Sequence, residues 1–174
     1  MLVGEEFRRL LLSFEHTAFR LEGRDNYSAP GERESMRRFL DGEPDEFASR
    51  RPWLDMVKAV TVEGRRFLRV RVVSVPLTDY SRWGLWCAQF ANAAGEDIRY
   101  LRRDQAEAAG LPGGDWWLLD SRTLALMHYD DADRFVGAEV VADPAVVVQH
   151  CYWRDAAWRH AMARDQFAAT TGGG

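Results

Sequence analysis

Two arginines stand two positions apart in a predicted strand, where they could bind an anion. Arg69 and Arg71 lie in the mostly apolar stretch 65–75, and strand alternation places both guanidinium groups on one face. Such groups bind phosphate or carboxylate through paired hydrogen bonds. The interpretation we favour is a half-exposed strand whose arginines pair with nearby acids such as Glu63 or Asp97. Replacing both arginines by alanine is therefore expected to leave the fold intact and to weaken only the binding of a ligand or partner.

A histidine followed by acids forms a second group of residues that could do chemistry. His128 and Tyr129 end a predicted strand, and Asp130, Asp131 and Asp133 follow them. Histidine with carboxylates could hold a divalent cation or exchange protons. We favour a solvated turn instead, because aspartate is common in turns and these acids lack the spacing of metal ligands. The sequence therefore predicts neither a metal site nor a cofactor.

A predicted helix that begins after a turn at Pro76 indicates the position of a pocket. Tyr80, Arg82 and Trp83 lie in the first turns of this helix. In open α/β sheets, ligands bind beyond the carboxyl end of a strand and at the N-terminus of the helix that follows. We expect a ligand-binding pocket here, although Trp83 would serve equally well as a core residue.

The common catalytic signatures are absent from the sequence. It contains no GxxxxGK[ST] loop, no GxGxxG after a strand, and no HExxH, GxSxG or CxxC motif. No catalytic residue is therefore assigned, and we favour a protein without enzymatic activity. The only two cysteines, Cys87 and Cys151, are isolated, which favours free thiols in a reducing compartment.

The composition is that of an ordinary globular domain and excludes several classes of function. With 174 residues, 47% of them hydrophobic and 29% charged, the chain can bury one sizeable core. Its net charge of −4 gives no general attraction to nucleic acid or to an anionic membrane. No apolar stretch reaches the length of a membrane span. We therefore expect a cytoplasmic protein with no membrane association and no direct binding of nucleic acid.

The first part of the chain alternates short helices, strands and turns. Hydrophobic spacing and turn residues predict a helix over 4–14, a strand over 18–22, an exposed loop over 23–31, a helix over 32–40 and a helix or turn over 44–52. Two strands, 55–63 and 65–75, meet at Gly64, and this arrangement predicts an antiparallel hairpin.

The second part of the chain predicts a sheet with flanking helices. The expected elements are a helix over 79–94, a strand over 97–101, a loop through Gly110, a hairpin of 116–120 with 123–129, a strand over 135–141 and a helix from Asp143 to Met162 or beyond. This order predicts an α+β fold with a mixed sheet. We expect one globular domain over 1–167, with segment 1–54 packed on a sheet core over 55–167, and a flexible tail over 168–174.

Spaced residues along nearly the whole chain resemble a known family. They are Arg69-x-Arg71-Val72-Val73, Pro76, Asp79-Tyr80-x-Arg82, Ala94-Gly95-Glu96-x-Ile98-Arg99-x-Leu101, Trp117-Leu118-x-Asp120, Met127-x-Tyr129, Gly137, Asp143-Pro144 and Arg154-Asp155-x-x-Trp158. By this set the chain is identified as a member of an actinobacterial family of unknown function, family 6879. The resemblance implies a regulatory role, because members are often encoded beside helix-turn-helix regulators.

The sequence is also similar to one half of a phospholipase-D-like fold, in the order of its elements from Arg65 onward. In that superfamily the motif HxKxxxxD supplies a histidine that attacks phosphorus and a lysine that holds the phosphate. With Asp120 as the motif aspartate, the histidine and lysine positions hold Gly113 and Asp115. Glycine supplies no nucleophile and aspartate repels phosphate. The resemblance therefore implies a degenerate version whose cleft binds rather than cuts.

Two functional hypotheses follow. The first is a non-catalytic sensor or interaction domain that works with a helix-turn-helix transcriptional regulator, with tryptophan and arginine side chains available for an interface and a homodimer left open. The alternative is a small enzyme or binding protein for a phosphorylated or nucleotide-like ligand. That ligand would contact Arg69, Arg71, Arg99, Tyr80 or His128.

Overall fold

Seven strands form one mixed sheet in the computed structural model, which describes residues 1–44 and 50–172. In chain order the strands are β1 (Thr17–Glu22), β2 (Arg66–Val73), β3 (Asp97–Arg102), β4 (Asp115–Leu119), β5 (Thr123–Tyr129), β6 (Phe135–Val141) and β7 (Met162–Ala163). Their order across the sheet is β6-β5-β4-β1-β2-β3-β7. The central strands β1, β2 and β3 are parallel, and β4 to β7 add antiparallel pairs on both sides. The predicted α+β class with a mixed sheet is confirmed.

Helices cover both faces of this sheet. They are α1 (Gly4–Leu12), α2 (Glu32–Asp41), α3 (Arg51–Val62), α4 (Asp79–Ala94), α5 (Arg103–Ala108), α6 (Pro144–His160) and α7 (Arg164–Thr171). We call the face that α1, α3, α4 and α7 pack against the front face, and the face under α5 and α6 the back face. None of the helices in the described parts of the chain is long and apolar enough to cross a membrane.

The two faces of the central strands differ in chemistry. The back face is apolar, because Phe19, Leu21 and Val70 point into the core under α6 and are at most 1% exposed. Strand alternation sends Arg20 and Arg69 to the front face. A strand that is apolar on one side and charged on the other is usual at a protein surface, but here the charged side is also covered by helices.

The predicted hairpin of 55–63 with 65–75 is wrong. Residues 55–62 belong to helix α3, which has Pro52 in its first turn and buries Val57 and Val60, three positions apart, in the core. The β-branched residues of this segment favour a strand, but that propensity is weak. The segment forms a helix because one helix face packs into the core. The second strand is real, and it pairs in parallel with β1 instead of with 55–63.

Two further segments differ from the prediction in detail. Helix α5 occupies the start of the segment predicted as a loop before Gly110. Helix α6 ends at His160, near the expected Met162, and β7 and α7 follow it. The segment 168–174, predicted as a flexible tail, begins inside α7, while residues 173 and 174 lie outside the described residues. Residues 45–49 of the predicted helix or turn over 44–52 also lie outside them.

Helix α4 has well-defined ends, as its sequence predicts. The Thr78 hydroxyl accepts a hydrogen bond from the Ser81 N–H at 3.1 Å, which is an N-cap. Gly95 follows the last turn with φ of +113°, and a Cβ there would lie 2.4 Å from Thr61 Oγ1. Glycine is therefore required at this end for both its conformation and its size. The position of α4 matters because this helix forms one wall of the site described next.

Candidate functional site

A cavity of about 750 Å³ lies between the front face of the sheet and the helices above it. Side chains of the strands β1 to β5 form its floor, α1, α3 and α4 form its walls, and the segments 27–30 and 133–135 form its rim. The volume is within the range of small-molecule sites in proteins, which is about 300–1,000 Å³. The lining mixes aromatic rings with charged groups, so the cavity can recognise polar as well as apolar parts of a ligand.

Glu22 lies at the centre of the cavity floor and contacts three arginines. Arg69 Nη1 donates to Glu22 Oε1 at 2.7 Å, and Arg71 Nε lies 2.5 Å from Oε2. Arg20 Nε lies 3.2 Å from Oε1. The parallel register explains this convergence, because it sets Arg20 beside Arg69 and Glu22 beside Arg71 on neighbouring strands. A buried carboxylate surrounded by guanidinium groups is thus built into the central pair of strands.

Two more carboxylates pair with the arginines of the floor, and one of them, Glu96, also lines the cavity. Arg69 also donates through Nε to Glu96 Oε1 at 2.7 Å, and the second oxygen of Glu96 accepts from Trp53 Nε1 at 3.0 Å. On the other side, Arg20 Nη2 lies 3.5 Å from Asp115 Oδ2, which also accepts from the Tyr27 hydroxyl at 2.6 Å. We refer to Arg20, Arg69, Arg71, Glu22, Glu96 and Asp115 as the buried charge cluster.

The surroundings fix the protonation of this cluster. Burial alone would raise the pKa of Glu22, but Arg69, Arg71 and Arg20 outweigh it and hold that pKa well below its ordinary value. Burial raises the pKa of Asp115, and it raises the pKa of Tyr129 to about 12. Near neutral pH, Glu22 therefore stays ionised and the Tyr129 phenol stays protonated.

The close approach of helix α4 to Arg71 depends on a glycine. A Cβ at Gly84 would lie 2.3 Å from Arg71 Nη1, so any side chain at this position would displace the guanidinium group. The hydroxyl of Tyr100 donates to the Gly84 carbonyl oxygen at 3.2 Å on the same side. Gly84 therefore allows the helix to lie directly over the end of β2.

The loop over 23–31 is held across the rim of the cavity. Arg24 forms an ion pair with Asp133 in the turn after β5, and the Ser28 N–H donates to the Asp133 carbonyl oxygen at 2.9 Å. On its other side, Arg103 Nη1 donates to the Gly23 carbonyl oxygen at 2.9 Å. This segment was predicted as an exposed loop, and side chains from distant parts of the chain attach it to the cavity.

The structure brings five of the nine predicted site residues to one place. Arg69, Arg71, Tyr80 and Tyr129 line the cavity. Trp83 lies fully buried behind Tyr80, with ring centroids 5.3 Å apart, and it has the core position that we considered as the alternative. The pocket expected at the start of α4 is thus present in the fold, with Tyr80 as its contribution from that helix.

The other four predicted residues lie away from the cavity. Arg82 is exposed and pairs with Asp79. Arg99 is on the back face, with its guanidinium carbon 3.8 Å from the centroid of the Trp158 ring. His128 faces the back of β5, where Nε2 lies 3.2 Å from Glu139 Oε2. Among the described residues, no group of three or more histidine, cysteine or acidic side chains could hold a metal.

The expected partners of the two central arginines are also wrong. Glu63 pairs with Arg65 and Asp97 pairs with Arg99. Arg69 is only 8% exposed, so the strand face that was interpreted as half-exposed is part of the buried floor. The expectation that both arginines can be removed without harm to the fold is therefore replaced by the expectation that their removal destabilises it.

Asp120 has a structural position at the opposite end of the sheet from the rim. Its carboxylate accepts from the backbone N–H groups of Glu15, His16 and Thr17 at 2.7, 2.8 and 2.9 Å, and so ties β4 to the start of β1. Burial alone would raise the pKa of Asp120, but these three donors outweigh it and lower that pKa.

Replacing Asp120 by asparagine is expected to lower the free energy of unfolding by about 1–3 kcal/mol, because the amide loses charge-assisted bonds. Asparagine tolerates the positive φ of 52° found here, so the change tests the carboxylate alone. Urea denaturation at pH 7 measures the effect. The exposed Asp131→Asn serves as the control, and an equal effect of both changes would contradict this role.

Several residues of the cavity were missed because each looks ordinary on its own. The sequence predicts strands at Arg20, Glu22 and Trp117 without a role in a site, and Glu96 belongs only to the family motifs. The available signal was a charged residue at alternate positions in two strands whose other face is apolar. These charged side chains become neighbours only because β1 pairs with β2, and that pairing is not visible in the local sequence.

Comparison with known proteins gives a family but no established activity. A search of curated proteins found no match to this chain. The family described as "Domain of unknown function (DUF6879)" matches residues 5–169, which is nearly the whole sequence. That range includes every residue of the buried charge cluster and the strands and helices that position it. The chain therefore belongs to this family of domains of unknown function.

Proposed function

We propose that this chain is a non-catalytic sensor domain that binds a small molecule in the cavity and passes the bound state to a helix-turn-helix transcriptional regulator. The observation that carries the proposal is a cavity of about 750 Å³ whose floor is a buried, mutually paired charge cluster. Buried ion pairs seldom increase net stability over apolar packing. A cluster of this kind inside an open cavity is therefore better explained by recognition than by folding.

The state of the titratable groups supports binding rather than catalysis. A general acid or base works best with a pKa near the working pH. Glu22 is held ionised by three arginines, and burial raises the pKa values of Tyr27 and Tyr80 well above the ordinary phenol value. Near neutral pH, Glu22 therefore keeps its negative charge and both tyrosines keep their protons. The similarity to a degenerate phospholipase-D-like half, whose cleft binds rather than cuts, agrees with this proposal.

The regulatory part of the proposal depends on the sequence. The resemblance to an actinobacterial family encoded beside helix-turn-helix regulators supplies the class of partner. The two cysteines form no disulfide with each other, and Cys87 is buried in α4, which suits a reducing cytoplasm. The alternative of a phosphorylated ligand has less support, because the arginines that would bind phosphate already face carboxylates.

Filling the cavity tests the proposal. Ala88 lines the cavity from α4 and is 2% exposed, so Ala88→Leu adds three carbon atoms where a ligand would lie. We expect that the wild-type chain, purified by affinity from its natural host, retains a small molecule and a helix-turn-helix protein in native mass spectrometry. The Ala88→Leu variant is expected to retain the regulator and to lose the small molecule.

The matched control is Ala145→Leu, the same change at an exposed position on α6 on the other side of the sheet. It is expected to behave as the wild type does. Absence of a small molecule from the wild type, or its retention by Ala88→Leu, would refute the sensor cavity. Absence of the regulator alone would refute only the partner.

A further inference from the structure

The charge balance of the cavity limits what its ligand can be; this inference rests on the function proposed above. The buried charge cluster holds three arginines and three carboxylates, all within 3.5 Å of an opposite charge. At the rim, Arg50 Nη2 lies 3.2 Å from Glu32 Oε1, and Arg24 pairs with Asp133. Arg134 also lines the cavity and pairs with Asp130 at 2.8 Å, so every arginine in the described lining already faces a carboxylate. A dianionic ligand would therefore place its charge beside Glu22 or Glu96 with no unpaired cation among the described lining residues to receive it. Bringing such a charge into a buried site without a partner is costly.

An indole N–H in the cavity lining lacks a partner. Trp117 lines the cavity, is 1% exposed, and its Nε1 has no hydrogen-bond partner among the described residues. Arg50 Nε, in a second residue of the lining, is also buried without one. A buried donor without an acceptor costs about 1–3 kcal/mol. Three further groups of the lining, Arg20 Nε, Arg71 Nε and Glu22 Oε2, also lack a hydrogen bond of good geometry, but they belong to the ion pairs of Glu22 at 2.5 and 3.2 Å. The remaining two groups, Trp117 Nε1 and Arg50 Nε, are both donors, so the partner that they lack is a hydrogen-bond acceptor.

Aromatic rings surround the polar floor. The Tyr27 ring lies 5.6 Å from that of Tyr80 and 5.4 Å from that of Tyr129, centroid to centroid, and all three residues line the cavity. Trp53 of α3 also lines the cavity, with its ring centroid 6.4 Å from that of Trp117. Flat aromatic surfaces bind flat rings through offset or edge contacts. The lining therefore favours a ligand that contains a ring.

We propose that the ligand is a ring-containing molecule without net charge, and that a carbonyl or ring-nitrogen acceptor on it receives the indole N–H of Trp117. The paired arginines and carboxylates then act as neutral, fixed dipoles toward the ligand. They orient its polar groups without selecting an anion. This assignment and a phosphate site predict opposite effects of charge. Adding a negative charge to the ligand weakens its binding here, whereas it would strengthen binding to a phosphate site.

Matched pairs of probes test the assignment on the full chain. Benzamide and benzoate have nearly the same shape and differ in charge. Adenosine and adenosine 5′-monophosphate share the nucleoside and differ by the charged phosphate group. Ligand-observed NMR titration at pH 7 gives the dissociation constant of each. We expect each neutral probe to bind at least about tenfold tighter than its anion, because the anion meets carboxylates in a buried site. Binding of the neutral probes is expected to disappear in Ala88→Leu.

The tryptophan next in sequence supplies a close control. Trp116 also has a buried Nε1 without a hydrogen-bond partner in the described parts of the chain, but it faces the back of the sheet and does not line the cavity. Trp117→Phe is expected to weaken the neutral probes about fivefold, as the loss of one hydrogen bond predicts, and Trp116→Phe is expected to leave them unchanged. Circular dichroism confirms that both variants fold.

The outcomes separate this inference from the proposed function. Tighter binding of an anion that is still abolished by Ala88→Leu would refute the uncharged ligand and keep the cavity as the site. Equal losses in Trp117→Phe and Trp116→Phe, or no binding of either neutral probe, would refute the assigned acceptor and ring. Failure of the sensor function itself is seen in a different measurement, the absence of a retained small molecule in the chain purified from its host.

Discussion

Replacing Arg69 by methionine is expected to lower the free energy of unfolding by about 3–5 kcal/mol, since it leaves buried carboxylates without their partner. Arg69 forms ion pairs with both Glu22 and Glu96, at 2.7 Å in each case. Methionine keeps much of the side-chain length and removes the charge. Chemical denaturation at pH 7, followed by far-UV circular dichroism, measures the change.

The control for this prediction is another arginine from the predicted site. Arg82 lies 3.4 Å from Asp79 with both side chains more than half exposed, and Arg82→Met is expected to cost about 0–1 kcal/mol. Adding Glu96→Gln to Arg69→Met is expected to restore part of the lost stability, because one uncompensated charge is removed. A cost below about 1 kcal/mol for Arg69→Met would show that the cluster is not a buried network.

The sequence predicts most of the sheet because local patterns determine its strands. Residues 97–101 and 135–141 alternate or run apolar between turn residues, and both form strands at those places. The error at 55–63 arose because Val57 and Val60 favour strands intrinsically, while their spacing of three also fits a helix face. Burial against Phe67 and Trp117 selects the helix, and this long-range contact is not visible in the local sequence.

The candidate site is less predictable than the fold because it is made of pairings between distant residues. The sequence placed Arg69 and Arg71 on one face correctly, and it expected acids close in sequence as their partners. The real partner, Glu22, is 47 positions from Arg69 along the chain. Only the parallel register of β1 against β2 brings these side chains together, and strand order cannot be derived from periodicity.

The buried charge cluster gives the domain two properties at once. Each arginine is held by a carboxylate, so the floor of the cavity stays in place when no ligand is present. Preorganised polar groups of this kind need little rearrangement when a ligand binds. The same groups make the cavity sensitive to any change that removes a charge, and Glu22, which three arginines share, is the most sensitive position.

Replacing Glu22 by glutamine is expected to cost about 3–5 kcal/mol near neutral pH, because three buried arginines lose their common carboxylate. The pKa of Glu22 is held far below the ordinary carboxyl value of 4.5, so the folded chain keeps this group ionised at a pH where the unfolded chain protonates it. The contribution of Glu22 to the free energy of unfolding is therefore complete above the pKa that Glu22 has in the unfolded chain. It is lost progressively as the pH falls toward the pKa of Glu22 in the folded chain.

The difference in free energy of unfolding between the wild type and Glu22→Gln is thus expected to be constant above about pH 5.5 and to narrow below about pH 4.5. Urea denaturation from pH 7 to pH 3 measures it. The exposed Glu107→Gln on α5 is the matched control, and we expect it to differ from the wild type by about 0.5 kcal/mol or less at every pH. A difference that widens as the pH falls would mean that the pKa of Glu22 is higher in the folded chain than in the unfolded chain. Wherever Glu22 is then protonated, the buried charge cluster carries a net positive charge. In that case an anionic ligand would become the better candidate for the cavity, because the arginines of its floor would outnumber the ionised carboxylates.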